Sequence, residues 1–80
     1  MRERRARSRF QIPRSLAALA AEHLERRVIE GRLKPGQRLV EQECAADLGL
    51  SRGTLREAFR ILANSGLVEI LPRKGARVVE

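Results

Sequence analysis

The segment L-G-L-S-R-G-T-L-R-E-A-F, residues 48–59, places two arginines, two glycines and two hydroxyl side chains around a reversal of the chain. Guanidinium groups bind phosphates and the O6 and N7 atoms of guanine, and hydroxyl groups donate hydrogen bonds to phosphate oxygens. Cations at the beginning of a helix cost about 0.3–1 kcal/mol, because the helix dipole is positive there. An anionic partner at that end offsets the cost. The segment therefore predicts a site for phosphates and base edges.

The first element that must position this segment is a helix predicted from about Leu16 to Glu30, with Ser15 as its cap. Its apolar positions recur at helical spacing and are Leu16, Ala17, Ala20, Ala21, Leu24 and Val28. A Pro–Gly turn then brings the chain back, and we expect Leu33 and Leu39 to anchor that turn to the core.

Two further helices flank the segment itself. A short helix begins around Val40, with an apolar face of Val40, Cys44, Ala45 and Leu48 and a polar face of Glu41, Gln42, Glu43 and Asp47. Gly49 suits the left-handed residue that ends this helix, and Ser51 can cap the next one. The next helix ends at residues 64–66 and directs inward Leu55, Ala58, Phe59 and Leu62. Two helices joined by so short a turn predict a helix-turn-helix unit.

The third predicted helix carries the candidate DNA-binding residues. Advancing about 100° per residue turns Arg56 and Arg60 away from the apolar face, and Arg52 projects from the first turn. We expect Arg52 and Arg56 to read bases, while Gly53 permits a close approach of the backbone. The candidate residues of this helix and its cap are Ser51, Arg52, Gly53, Thr54, Arg56 and Arg60. The competing interpretation is a solvated arginine face with an intrahelical pair to Glu57.

After Gly66 the apolar pattern changes to a period of two, in L-V-E-I-L and then in A-R-V-V, with P-R-K-G between them. This pattern predicts two short strands around a basic turn formed by Arg73, Lys74 and Gly75. Such a wing tip can lie on the DNA backbone or enter the minor groove, although the same residues also suit an exposed hairpin tip. The predicted fold class is α+β, a small winged helix-turn-helix of three helices followed by a β-hairpin wing.

The composition limits the function classes. A chain of 80 residues allows one domain, and 17 Lys and Arg against 10 Asp and Glu give a net charge of +7, which favours an anionic polymer as partner. The chain has one cysteine, Cys44, and one histidine. These are too few ligands for a zinc site and form no nucleophile–base pair, so we expect no metal, no cofactor and no enzymatic activity. No apolar run reaches the length of a secretory signal or a membrane span, which predicts a soluble cytoplasmic protein without membrane contact.

The first 14 residues, M-R-E-R-R-A-R-S-R-F-Q-I-P-R, contain six arginines and one glutamate without apolar periodicity. We interpret residues 1–14 as a flexible basic arm and residues 15–80 as the DNA-binding domain. The arm either follows the minor groove or is a flexible basic tail.

Together these residues resemble the N-terminal DNA-binding domain of the GntR family of bacterial transcription regulators, most nearly its FadR-like branch. Members resemble the pattern G-x-L-x-P-G-x-x-L-x-E-x-x-L-A-x-x-L-G-V-S-R-T-P-V-R-E-A-L, and residues 31–59 here read G-R-L-K-P-G-Q-R-L-V-E-Q-E-C-A-A-D-L-G-L-S-R-G-T-L-R-E-A-F. The resemblance extends from about Leu16 to Val79. Gly53 and Thr54 stand where many members have Thr-Pro, which affects the expected operator preference, and Cys44 replaces the usual leucine.

The resemblance implies sequence-specific binding of double-stranded DNA as part of a ligand-controlled repressor. It assigns Arg52 and Arg56 to bases or phosphates, and it adds as contacts the wing glycine Gly75 and Gln42, which otherwise suits a helix surface. It also implies a palindromic operator and a homodimeric full-length protein. The effector would bind a C-terminal domain that these 80 residues do not contain.

Two other binding modules stay open at this point. A winged-helix protein-interaction module would show an apolar patch on the third helix, where this sequence has arginines. A binder of structured RNA would need stacking aromatics, and the aromatic residues are Phe10 and Phe59, of which Phe59 is assigned to the core.

Overall fold

The computed structural model of the protein describes residues 15–80, and the arm predicted at residues 1–14 lies outside this range. The elements along the chain are α1 Leu16–Ile29, β1 Arg38–Leu39, α2 Glu41–Leu48, α3 Arg52–Asn64, β2 Val68–Leu71 and β3 Gly75–Val78. The three strands form an antiparallel sheet in the order β1-β3-β2. The α+β winged helix-turn-helix predicted from the sequence is confirmed. Within residues 15–80, no helix combines the length and the apolar composition needed to cross a bilayer.

Helix α1 packs its alanine-rich stripe against α3. The hydroxyl of Ser15 accepts a hydrogen bond from the N–H of Ala18, at 2.9 Å, and thereby caps the helix as predicted. The buried residues of the stripe are Ala17, Ala20, Ala21 and Leu24. The predicted core position of Leu16 is wrong, because this side chain lies about 90° from the centre of the stripe and is 58% exposed.

The turn between α2 and α3 has the conformation expected from its residues. Gly49 lies in the left-handed region at a φ of +68°, and the N–H of Leu50 closes the turn on the carbonyl of Ala45 at 2.9 Å. Ser51 caps α3 by accepting from the N–H of Thr54 at 3.1 Å. The side chains of α3 that enter the core are those predicted, Leu55, Ala58, Phe59 and Leu62. The helix-turn-helix is therefore fixed by local signals.

The sheet has a third strand that the sequence analysis did not predict. Strand β1 contains only Arg38 and Leu39, too few residues to show an alternating pattern, and it exists because it pairs with β3. Leu33 and Leu39 are both buried, as expected of the two anchors of the preceding turn. Strand β1 thus joins the wing to the beginning of α2.

The hairpin covers the core only over the part where β2 begins and β3 ends. Val68 and its cross-strand partner Val78 are buried, and Ala76 is fully buried beside them. Ile70, which lies opposite Ala76, is 49% exposed, although the predicted alternation would bury it with Val68. The outer part of the hairpin therefore extends beyond the core and forms the wing.

Candidate nucleic-acid interface

A groove of about 570 Å³ separates the beginning of α3 from the wing, and the junction of β1 with α2 contributes to its lining. Apolar parts of Phe59, Ile70 and Leu71 contribute to its wall. Among residues 15–80, its charged lining consists of one carboxylate, Glu41, and six cationic side chains, Arg38, Arg52, Arg56, Arg60, Arg73 and Lys74. Such an excess of positive charge in a concave surface attracts an anionic ligand.

Glu41 contacts both candidate base readers. Its Oε1 atom accepts from Nε of Arg52 at 3.1 Å, and its Oε2 atom accepts from Nε of Arg56 at 2.8 Å. From the sequence, Glu41 is predicted on the polar face of the second helix, and Glu57 is the arginine partner only in the competing interpretation. Instead, the first residue of α2 turns its carboxylate toward α3, where only 17% of the side chain stays exposed. No sequence signal revealed this, because 11 and 15 residues separate the partners.

The charge of Glu41 is fixed by this arrangement. The hydrogen bond from Arg56 is the largest influence on the pKa of Glu41 and lowers it, the loss of hydration opposes this, and the hydrogen bond from Arg52 lowers the pKa further. The position at the beginning of α2 also favours a negative charge. Glu41 is therefore an ionised acceptor between two guanidinium groups at neutral pH.

The first turn of α3 also presents two coupled hydroxyl groups. The Ser51 hydroxyl donates to Oγ1 of Thr54 at 2.9 Å, while its oxygen accepts from the Thr54 N–H. Both hydrogen-bonding functions of Ser51 are thus used by Thr54, whose own O–H is the group left to donate outward. Gly53 is exposed, and a methyl group added at its Cα would meet no atom within 4 Å. The backbone is accordingly accessible on this side of the turn.

The remaining candidates on the two helices differ in their contacts. Arg60 donates from Nη1 to Oε1 of Glu57 at 2.9 Å, so the intrahelical pair considered for Glu57 is formed by Arg60 instead of Arg56. The side chains of Arg60 and Glu57 are both at least half exposed, which makes this pair a weak restraint. Gln42 is exposed on α2 and lines the groove. The structure therefore brings Gln42 and the three arginines of α3 to one surface.

The wing tip is a three-residue turn of Pro72, Arg73 and Lys74. Among residues 15–80, Arg73 is the one non-glycine residue with a positive φ, at 62°. The N–H of Lys74 donates to the carbonyl of Leu71 at 3.0 Å, and the Lys74 carbonyl accepts from Nε of Arg38 at 3.0 Å. Arg38 is not among the site residues predicted from the sequence, because the contact joins residues 36 positions apart. Arg38 thereby fixes the tip of the wing to β1.

Gly75 has a packing requirement of its own. Its φ is +97°, and a Cβ atom at this position would overlap the carbonyl oxygen of Leu39. The contact with DNA implied for Gly75 stays a prediction, whereas its close approach to β1 already accounts for a glycine. Arg77 lies further along β3, where its Nη1 atom is 3.8 Å from Oε1 of Glu69 across the hairpin. It does not line the groove.

Cys44 and His23 lie apart from this groove. Cys44 is half-buried against the core, and burial raises the pKa of its thiol, with Asp47 and Glu43 adding to the effect. His23 is exposed on α1. Within residues 15–80, no three His, Cys, Asp or Glu side chains converge as they would around a metal ion.

Comparison with known proteins gives consistent matches. Residues 16–78 match the family model described as "Bacterial regulatory proteins, gntR family". The Glc operon transcriptional activator of Escherichia coli K12 is 38% identical over 66 residues, which are 81% of this chain and 26% of that protein. The HTH-type transcriptional repressor RspR of the same organism is 38% identical over 55 residues, 69% of this chain and 24% of that protein.

A solved structure shows the same architecture. The GntR-family transcriptional regulator from Pseudomonas syringae pv. tomato superposes with a TM-score of 0.70 and 36% identity, over 80% of this chain and 27% of that one. The present chain therefore spans about a quarter of the length of the curated relatives that it matches.

Proposed function

Because the chain belongs to the GntR family and is a helix-turn-helix DNA-binding domain of its transcriptional regulators, we propose that α3 enters the major groove of duplex DNA by its first turn. The observation that carries this proposal is the groove between α3 and the wing, with its six cationic side chains around a single carboxylate. The proposal assigns separate tasks to the two sides of this groove.

On the helix side, Arg52 and Arg56 read base edges. Both side chains are more than half exposed, and they stand one turn apart on α3. An arginine recognises guanine by two parallel hydrogen bonds to O6 and N7, so two arginines at this spacing suit two nearby guanines. Thr54 adds its free O–H to a phosphate or its methyl group to a thymine, and Gly53 lets the DNA backbone approach.

On the wing side, Arg73 and Lys74 bind the DNA backbone. They are exposed at the tip of a turn that Arg38 anchors. A left-handed conformation costs a residue such as Arg73 about 1–3 kcal/mol compared with glycine, so the protein keeps a cationic side chain at a position where the backbone favours glycine. A phosphate contact at residue 73 requires this cationic side chain, which a glycine would not supply. Arg60, two turns further along α3, and Gln42 on α2 add further contacts, and Ser51 joins them when its O–H turns from Thr54 to a phosphate.

The full-length protein would bind as a homodimer on a palindromic operator, with a small-molecule effector held by a separate C-terminal domain. The homodimer, the effector and the sign of regulation are properties of a whole regulator, and this chain spans about a quarter of the length of the relatives that it matches. The matched relatives carry the names of an activator and a repressor, and we propose repression, in which the bound domain blocks transcription. A regulator of bacterial genes works in the cytoplasm, where an unpaired Cys44 is stable.

Selection of bound sites from a pool of random duplexes, at about 0.15 M salt, tests the proposal. We expect enrichment of a short motif containing guanine, repeated as an inverted pair where two domains bind together. Retention of all sequences in proportion to their abundance would overturn sequence-specific recognition. A parallel pool of structured RNA serves as the control, and enrichment there instead of in the duplex pool would assign the groove to RNA.

A further inference from the structure

We propose that Glu41 is a positioning residue for base recognition, whose single carboxylate sets the spacing and orientation of the Arg52 and Arg56 guanidinium groups. The proposal rests on the DNA-binding role proposed above for these two arginines. It concerns a residue on a different helix from the readers, which itself need not touch a base.

The two contacts of Glu41 are of the same kind. Each carboxylate oxygen accepts from one Nε atom, at 3.1 Å for Arg52 and 2.8 Å for Arg56, so neither arginine competes with the other for an acceptor. The carboxylate is 17% exposed, whereas the arginine side chains are 60% and 57% exposed. The anchored part of each guanidinium group is therefore its inner edge, and its outer end faces the solvent.

Engagement of Nε leaves the Nη1 and Nη2 atoms of both arginines available. A guanidinium group has five N–H donors in a plane, and Glu41 uses one of them in each case. The two terminal nitrogens are the pair that meets O6 and N7 of guanine end-on. Glu41 therefore restrains the readers without occupying the donors with which they read.

Restraint of this kind favours the cognate sequence. A free arginine loses rotamer freedom on binding, and a side chain held beforehand loses less, provided that the base lies where the guanidinium group already points. A base displaced from that position is contacted only after the ion pair to Glu41 breaks. The carboxylate also repels phosphates, which weakens binding to any sequence. The restraint therefore increases the difference between cognate and random DNA, whereas the repulsion lowers both affinities alike.

The test compares Glu41→Gln with Glu43→Gln, its control on the same helix. Glu43 is exposed two residues further along α2, so the control removes the same charge without disturbing either arginine. Affinities are measured at one salt concentration for the selected duplex and for a scrambled duplex. We expect Glu41→Gln to lower the cognate-to-scrambled ratio about tenfold, with binding to the scrambled duplex unchanged or tighter. Glu43→Gln should keep the ratio of the unsubstituted protein.

The outcomes separate this proposal from the one on which it rests. If the unsubstituted protein itself shows no preference for the selected duplex, the proposed function fails and the role of Glu41 fails with it. If that preference is present and Glu41→Gln retains the full ratio, the role of Glu41 alone is overturned.

A spectroscopic measurement keeps the proposal testable should Glu41→Gln not fold. The Nε–H resonances of Arg52 and Arg56, assigned with Arg→Lys variants, should exchange slowly with water in the unsubstituted free domain and should be shifted relative to an exposed arginine such as Arg26. Rapid exchange of both Nε protons would contradict the restraint.

The variant Glu41→Asp provides a second test, because its shorter side chain keeps the charge but its carboxylate cannot reach both arginines. It should also lower the cognate-to-scrambled ratio.

Discussion

The Nε atom of Arg38 lies 3.0 Å from the carbonyl oxygen of Lys74 and donates to it, which ties strand β1 to the tip of the wing. Arg38→Lys keeps the charge but removes the Nε donor, so a change in DNA affinity reports the position of the wing. We expect weaker binding to all duplexes alike and a loss of about 0.5–1.5 kcal/mol in the free energy of unfolding. Arg32→Lys, in an exposed residue outside the groove, is the control and should change neither quantity.

Base readers and phosphate contacts should respond differently to truncation. Arg52→Ala and Arg56→Ala should each cost about 1–3 kcal/mol on the cognate duplex and relax the base preference, whereas Lys74→Ala should weaken all sequences alike and lower the salt slope by about 1. The measurement is the affinity for cognate and scrambled duplexes over a series of salt concentrations. Equal losses of all three variants on both duplexes would contradict the division between helix and wing.

Leu55 supports α3 from inside the core. Its side chain is fully buried, and Leu55→Ala should lower the free energy of unfolding by about 2–5 kcal/mol, through lost burial and the cavity that remains. Chemical denaturation measures this. Leu19→Ala, in a residue that is 47% exposed on α1, removes the same atoms and should change stability by less than about 0.5 kcal/mol. A Leu55→Ala protein as stable as the control would show that the packing of α3 is described wrongly.

Arg73 combines a backbone cost with a proposed contact. Arg73→Gly relieves the positive φ and should raise the free energy of unfolding by about 0.5–1 kcal/mol, while DNA affinity falls. Lys74→Gly removes the same charge at a residue without a positive φ and should lower both quantities. Thermal unfolding and duplex binding of the two variants provide the comparison. An Arg73→Gly protein that is more stable and binds equally well would remove Arg73 from the interface.

The ion pairs of Glu41 predict a pH dependence of stability. The pKa of Glu41 is lowered in the folded protein from an ordinary value of 4.5, so its stabilising effect is complete above that value and is lost as the pH falls through the folded pKa. The difference in Tm between the unsubstituted protein and Glu41→Gln should therefore be constant from about pH 6 to 8 and should shrink below about pH 4.5. A difference that first appears in acid would contradict the sign of the shift.

The sequence predicted those parts of the fold that depend on neighbours along the chain. Ser51 precedes Thr54 by three residues, as a capping hydroxyl must, and Gly49 stands at the left-handed end of α2. Leu55 and the other inward residues of α3 recur at the helical period. These signals lie within one or two turns of a helix, and the structure confirms each of them.

The sequence could not predict the contacts that the tertiary fold creates. Strand β1 is defined only by its partner, and the two arginine contacts of Glu41 cross from α2 to α3. Glu57 is a partner for Arg56 in the competing interpretation because helical spacing is visible in a sequence, whereas the position of α2 relative to α3 is not. Leu16 was assigned to the core by its apolar character, although the buried stripe of α1 is narrower than its apolar face.

The overlap that any Cβ at residue 75 would produce with Leu39 has a consequence for how this domain can be altered. Residue 75, at the tip end of β3, cannot accept a side chain without displacing β1, while residues 72–74 project past the sheet and take part in no core packing. Residues 72–74 can therefore be exchanged, whereas residue 75 must stay a glycine. Replacing these three residues with those of a relative would transfer that relative's contacts with the DNA backbone and leave the base-reading residues of α3 unaltered.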